Sequence, residues 1–167
     1  MREMGKENGA SMAEIRRLGL EDFDRLRDCV AGLQDYERQF DADKRVGVAM
    51  ASDYVIELRA AVRQNDGCAV AAEIDGQVVG FIAGWINPAD TMQSTPHFYV
   101  SDLYVQDDFR GQGIAARLVE AVEQYAAAKG IPSIVLHVLA QNALAKTFYE
   151  KQGFELYELT LLKQISW

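Results

Sequence analysis

Apolar side chains recur at helical spacing from Leu20 to about Leu33, at Leu20, Phe23, Leu26, Val30 and Leu33. Ala51 to Val62 repeats the pattern, so two helices are expected with the polar stretch DYERQFDADKR as a loop between them. Ala13–Leu18 reads as a short strand ahead of them. Cys68–Ile74 and Val78–Ile86 are β-rich runs separated by DGQ, and Asp75-Gly76 is a hairpin signal because both residues tolerate positive φ. Phe98–Gln106 is a further strand. Leu118, Val119, Val122, Tyr125 and Ala126 then form the apolar face of a helix that stops at Lys129-Gly130. Ser133–Leu139 is a buried-looking strand, Asn142 opens a short helix to about Lys151, and Phe154–Ile165 is expected to return as a long strand. The order is β-α-α-β-β-β-α-β-α-β. Phe98 to Leu139 is then a βαβ unit with parallel strands and a right-handed crossover. With the hairpin upstream, the fold class is mixed α/β, with one mixed sheet.

At 167 residues the chain is long enough for one domain with its own core. Residues 1–12, MREMGKENGASM, are polar and aperiodic and are expected to be a disordered tail; 13–167 are expected to form a single domain. The two cysteines, Cys29 and Cys68, lie far apart in apolar surroundings. That predicts free thiols in a reducing cytoplasm. No stretch approaches a membrane span. Net charge is −8, which disfavours nucleic acid as a partner, because phosphate must be neutralised by Lys and Arg. Residues 1–100 hold 11 basic and 17 acidic side chains against 6 and 8 in residues 101–167, so the acidic excess lies in front. It reads either as ordinary solubility charge or as an attraction for cations.

The stretch LYVQDDFRGQGIAARLVEA, from Leu103, passes from strand through a glycine turn into a helix. Gly111-Gln112-Gly113-Ile114-Ala115-Ala116 fits the dinucleotide fingerprint, while Arg110 to Ala115 fits the phosphate pattern R-x-x-G-x-A. The dinucleotide reading requires glycine directly after the strand and an acid at the end of the next one. Here Gln106 to Arg110 intervene, the next strand ends VLHVLAQN, and only 57 residues remain from Gly111 onward. Gly111 and Gly113 would instead let backbone N–H groups face an anion at a helix N-terminus, with Arg110 supplying a fork of donors. Asp107 and Asp108 should then point into solvent. A ligand-free glycine turn is the plain alternative.

Strand, RGQGIA, helix, strand and then NALAKTFYEKQGF together resemble the GCN5-related N-acetyltransferase superfamily. The similarity spans residues 68–165 well and the N-terminal helices in outline; Asp107 stands where the family often has proline. The resemblance implies acetyl-CoA as co-substrate, with its pyrophosphate on the backbone of Arg110, Gly111, Gln112, Gly113, Ile114 and Ala115. It implies that pantetheine lies beside Leu103, Tyr104 and Val105 where two parallel strands splay, with an N–H near Leu103 on the thioester carbonyl. Asn142 matches a cofactor-contacting position, though QNALAK also fits a plain helix cap. Tyr149 matches the usual acid for the departing thiolate, or else is a core aromatic beside Phe148.

The implied acceptor is a primary amine: a polyamine or other small amine, an aminoglycoside, or a peptide amine. At pH 7 freeing its lone pair costs roughly 4–5 kcal/mol, so a base is wanted. Glu73 and Asp102 are the candidates, each equally readable as an ordinary strand residue. Tyr99 and Tyr104 could line the same cleft, but strand alternation puts them on opposite faces. Asp35, Glu37, Asp41 and Asp43 lie where the family often builds its acceptor site. His97 and His137 lack metal-ligand spacing, so no metal is expected. Neither cysteine has a base at motif spacing, and G-x-S-x-G is absent, so covalent catalysis is unsupported. With the resemblance, an N-acetyltransferase working by direct attack in a ternary complex is the expectation. Dimers are common in the family, so a homodimer is a further expectation. A non-catalytic acyl-CoA-binding module on the same fold is the alternative.

Overall fold

The computed structural model describes residues 12–165. Apart from Met12, the expected tail 1–12 lies outside the described residues. Two compact units divide the chain, one to His137 and one from Val138.

The first unit is built on a five-stranded sheet in the order β1-β2-β3-β4-β5, with β1 Glu14–Arg17, β2 Cys68–Ile74, β3 Gln77–Asn87, β4 His97–Val105 and β5 Ile134–Leu136. β1 to β4 are antiparallel neighbours and β5 is parallel to β4. The mixed α/β class is therefore as expected. The two-residue turn between β2 and β3 places Asp75 at φ +50° and Gly76 at φ +79°, the conformation that suits the twist of a tight hairpin.

The first predicted helix is in two pieces. Leu20–Leu26 is a 3₁₀ segment, and α1 runs Arg27–Glu37, taking in Asp35, Tyr36 and Glu37 that were expected in the loop. α2 is Val48–Gln64 and α3 is Ile114–Ala128. One face of the sheet packs Phe81, Ala83, Ala69 and Ala71 against Phe23, Leu26, Val30, Val55 and Leu58 from the 3₁₀ segment, α1 and α2. α3 covers the opposite face with Leu118, Val119, Val122 and Ala126, and its Tyr125 ring meets Phe98 at 5.8 Å. Burying apolar area at about 25 cal/mol per Å² on both faces drives this three-layer arrangement.

β4 is irregular in two respects. Its ladder with β5 has three pairs and ends at Val100↔Leu136, although β4 continues to Val105 along β3. Its register with β3 slips: Gly84 pairs with Val100, but Ala83 pairs with Asp102. Ser101 is thus an extra residue, a β-bulge. Gly84 stands opposite, and a side chain there would run into the carbonyl oxygen of Tyr99 and lie 2.6 Å from the Phe98 ring.

In the second unit, α4 spans Ala143–Lys151. The long strand expected over Phe154–Ile165 does not form. Those residues pair with no strand among the described residues, and Leu156, Leu159, Leu161, Leu162 and Ile165 are exposed. Apolar alternation supplies a willing strand, but a ladder partner is what makes one.

Candidate functional site

The bulge decides what the β4 side chains face. Paired residues on neighbouring strands point the same way and successive residues point oppositely. Tyr99 pairs with Trp85, Asp102 with Ala83 and Tyr104 with Phe81, and these three partners lie on one face of β3. Tyr99, Asp102 and Tyr104 therefore share the face covered by α1 and α2. This corrects the expectation that the two tyrosines oppose each other, which assumed an unbroken period of two. Phe98, Val100, Leu103 and Val105 turn toward α3.

Asp102 is 5% exposed, a carboxyl set into the core face of the sheet. Tyr54, from α2, donates its hydroxyl to Asp102 Oδ2 at 2.7 Å, and the bulge residue Ser101 donates to the same oxygen at 2.7 Å. Oδ1 has no hydrogen-bond partner among the described residues. None of their buried side-chain oxygens is unsatisfied, so Oδ1 keeps contact with solvent. Burial drives the Asp102 pKa above the ordinary carboxylate range, against the pull of the two hydroxyl donors. The charges of Glu37, on α1, and Lys44, in the following loop, also bear on it with opposite sign, and these two form an ion pair of 2.8 Å. Burial likewise raises Tyr99 and Tyr54. The Tyr99 ring meets Trp85 at 5.3 Å and His137 at 5.6 Å. Asp41 caps its own turn through the Asp43 amide at 3.1 Å, and Asp35 is exposed.

Glu73, the other candidate base, lies two strands away on β2. Arg16 and Arg25 grip its carboxylate at 2.8 and 2.9 Å. Burial pushes Glu73 up, and the hydrogen bonds from Arg25 and Arg16 outweigh it, leaving the group below its usual range. A carboxylate so clamped staples β1 to β2 and is a poor proton acceptor. The structure does not bring the two candidates together.

After Val105 the chain enters the glycine turn. Gly111 and Gly113 hold φ +74° and +76°, and a Cβ at either would meet open space, so backbone conformation rather than crowding calls for glycine there. The amides of Gly111, Gln112 and Gly113 donate to no partner among the described residues. Ile114 and Ala115 open α3, where amides have no intrahelical acceptor, and the first bond of that helix is Arg117 N–H to Gly113 O. Five consecutive donors, Gly111 to Ala115, therefore line the positive end of the helix. Arg110 is placed differently from expectation. Its amide donates to Asp107 O, its Nε to Val105 O at 2.9 Å, and its guanidinium pairs with Asp107 at 2.8 Å over the Tyr36 and Tyr104 rings. Nearby acceptors have claimed the fork. Asp107 and Asp108 are exposed as expected, yet Asp107 remains tied to the turn.

In the second unit, Asn142 Oδ1 accepts from the Ala145 amide at 3.1 Å, the helix-cap geometry. Tyr149 is half-buried between Phe148 and Phe154, with ring centroids at 5.2 and 5.4 Å. Cys29 and Cys68 are free and buried, and burial raises their thiols to about 11 and about 12, so neither is a thiolate at neutral pH. His97 Nε2 lies 3.1 Å from Asn87 Nδ2. Among the described residues no three His, Cys, Asp or Glu side chains gather where they could hold a metal, and no helix is long and apolar enough to cross a membrane.

Tyr54 and Ser101 were absent from the sequence-based set. Ser101 had a signal: the apolar positions Phe98 and Val100 fall out of phase with Leu103 and Val105, which marks an inserted residue. Tyr54 had none, since its partner is 48 residues away.

Comparison with known proteins bears on the family and the fold. An uncharacterized N-acetyltransferase of Methanocaldococcus jannaschii is 33% identical over 97 residues, 58% of this chain and 42% of that protein. One from Archaeoglobus fulgidus is 37% identical over 90 residues, 54% and 60% of the two chains. The chain thus spans about half the length of these relatives. Solved structures share the fold. A tetramutant of the BH1408 protein from Bacillus halodurans matches with a TM-score of 0.79 at 22% identity, covering 91% of this chain and 99% of that one. An aminoglycoside acetyltransferase from an uncultured soil metagenomic sample, in complex with sisomicin, matches at 0.69 and 18% identity, covering 93% and 97%. The profile of the acetyltransferase (GNAT) family matches residues 32–154, and the chain belongs to that family.

Proposed function

We propose that the protein is an N-acetyltransferase that moves the acetyl group of acetyl-CoA to a primary amine by direct attack in a ternary complex. The observation that carries the reading is the arrangement on β4. A buried carboxyl, Asp102, stands on a strand whose parallel partner ends opposite Val100, and a short 3₁₀ turn, Asp107–Phe109, leads from that strand to a cradle of five free amides.

The family implies acetyl-CoA, and the chain offers a place for each part of it. Amides Gly111 to Ala115 would take the pyrophosphate, with Arg110 bracing the turn from behind. The β4 edge at Leu103, Tyr104 and Val105, past the end of β5, would take the pantetheine amides as a strand takes its neighbour, and the Leu103 N–H would polarise the thioester carbonyl. Asp102 Oδ1, which no donor among the described residues occupies, would accept the proton of the incoming ammonium. The nitrogen then bonds to the acetyl carbon, the carbon–sulfur bond breaks, and the thiolate takes a proton, a role the family resemblance gives to Tyr149. A carboxyl with a raised pKa is the stronger base for this work. Asn142 is assigned to the cofactor arm on the same resemblance, alongside its role as a cap.

The acceptor class is a cationic amine. The Glu37 carboxylate, on α1, bears on Asp102, and the family resemblance gives the acids of α1 and its following loop, Asp35, Glu37, Asp41 and Asp43, a part in drawing in such an amine. Related folds carry names that fit this class: an aminoglycoside acetyltransferase and a ribosomal-protein-alanine N-acetyltransferase from Brucella melitensis.

Two measurements test the reading. Acetyl-CoA, and neither NAD nor ATP, should raise the melting temperature by mass action. Thiol release should then appear with at least one member of a panel of polyamines, aminoglycosides and peptide amines. Stabilisation without thiol release across the panel would favour a non-catalytic acyl-CoA-binding module; no stabilisation would remove both.

A further inference from the structure

We infer that Tyr54 and Ser101 are a donor pair that positions Asp102, reserving its Oδ2 for the protein and leaving Oδ1 to exchange a proton with the acceptor amine. The inference rests on the reading of Asp102 as the base.

The two donors differ in kind. Tyr54 reaches from α2 with a rigid ring and a single short bond to Oδ2 at 2.7 Å. Ser101 has one hydroxyl proton, with Asp102 Oδ2 at 2.7 Å, the Ala83 carbonyl at 3.2 Å and the Tyr54 hydroxyl oxygen all within its reach. A hydroxyl can serve one of them at a time. When Asp102 is a carboxylate, both donors converge on Oδ2 and stabilise its charge. When Oδ1 gains a proton, the charge on Oδ2 falls and the Ser101 hydroxyl can turn to Ala83, while Tyr54 stays. The bulge supplies this option, because it sets Ser101 beside Ala83 instead of beyond it.

The surroundings leave these hydroxyls as the adjustable elements. From β4 itself Tyr99 faces Asp102, from α2 Tyr54, from α1 Glu37 and from the following loop Lys44. Glu37 and Lys44 are paired with each other and act on Asp102 in opposite directions. What remains against the cost of burial is the pair of direct hydrogen bonds. A hydrogen bond to the charged form lowers a carboxyl pKa, and removing it must raise that pKa.

The test is a carbon-13 carboxyl NMR titration of the free protein, with the Asp102 resonance assigned by its loss in Asp102→Asn. In Tyr54→Phe, which keeps the ring and loses the hydroxyl, the midpoint should rise by about one to two pH units. Ser101→Ala should raise it less, and it provides the same test if the Phe variant folds poorly. A midpoint unmoved or lowered in the variants that fold overturns the inference. Activity then separates it from the functional reading. In Tyr54→Phe the acid limb of kcat/KM should move up with the NMR midpoint. A limb that stays put while the NMR midpoint moves dismisses Asp102 as the base and leaves the donor pair standing.

Discussion

Gly32→Ala offers a quantitative check on how β4 is held. Gly32 lies inside α1, and a Cβ there would sit 2.6 Å from the Tyr104 hydroxyl, 2.9 Å from Cζ and 3.0 Å from Cε1. Helix propensity alone favours alanine by about 1 kcal/mol. The steric term opposes it, because the obstacle is the edge of an aromatic ring, not the tip of a flexible chain. Tyr104 is packed against the core cluster and lies under the Arg110 guanidinium, 5.5 Å from the ring centroid. Overpacking of this kind costs about 1–3 kcal/mol. The net expectation is a loss of about 1 kcal/mol, which lowers the melting temperature by about 2–4 °C in a protein of this size. Urea denaturation should show a lower midpoint with an unchanged slope. Tyr104→Phe removes the nearest atom, so the double variant should be more stable than the sum of the singles by about 0.5 kcal/mol or more. Gly32→Ala as stable as the parent, or strictly additive singles, would show that the ring yields freely and that α1 does not brace β4.

Three further outcomes concern the site. Gly113→Ala and Gly130→Ala both force alanine to a positive φ in open space, +76° and +69°, and each should cost about 1–2 kcal/mol. Titration calorimetry should show weaker CoA binding for Gly113→Ala alone, and equal affinities would take the cradle out of cofactor binding. Glu73→Gln should lower stability at neutral pH with kcat intact. Because the folded pKa is depressed, that contribution is present above the unfolded value of about 4.3 and fades as pH falls through the folded value, so the gap between parent and variant in urea should close in acid. A loss of turnover in Glu73→Gln that exceeds its loss of stability would count against Asp102 as the sole base. Tyr149→Phe should cut kcat more than it weakens CoA binding, and full activity would remove the phenol from the mechanism.

Much of the fold was legible because it is local. The Asp75-Gly76 turn, the apolar face of α3 and the Asn142 cap each arise from a few adjacent residues, and β2 matches the expected Cys68–Ile74. The glycine turn was legible for the same reason, since positive φ at Gly111 and Gly113 is a backbone demand written in residue type. What escaped depends on partners distant in sequence. Tyr54 meets Asp102 only because α2 lies across the sheet. The arginines that grip Glu73 come from β1 and the 3₁₀ segment, 57 and 48 residues away. Arg110 has the spacing of a phosphate ligand, and its bonds to Val105 O and Asp107 were not legible beside it. The strand expected at Phe154–Ile165 had the pattern and lacked the ladder.

The bulge also sets how this strand can change over evolutionary time. A substitution on β4 alters one side chain, whereas loss or gain of one residue at Ser101 would exchange the two faces of the strand for every position on one side of it. Asp102 would trade its place over α2 for one under α3, or Tyr99 would leave the face that it shares with Asp102. Gly84 guards the arrangement from the opposite strand, since any larger residue would collide with Tyr99 and Phe98. Drift by point mutation can therefore retune that face in small steps. A single-codon deletion would discard it whole, because the two faces of the strand change places in one step.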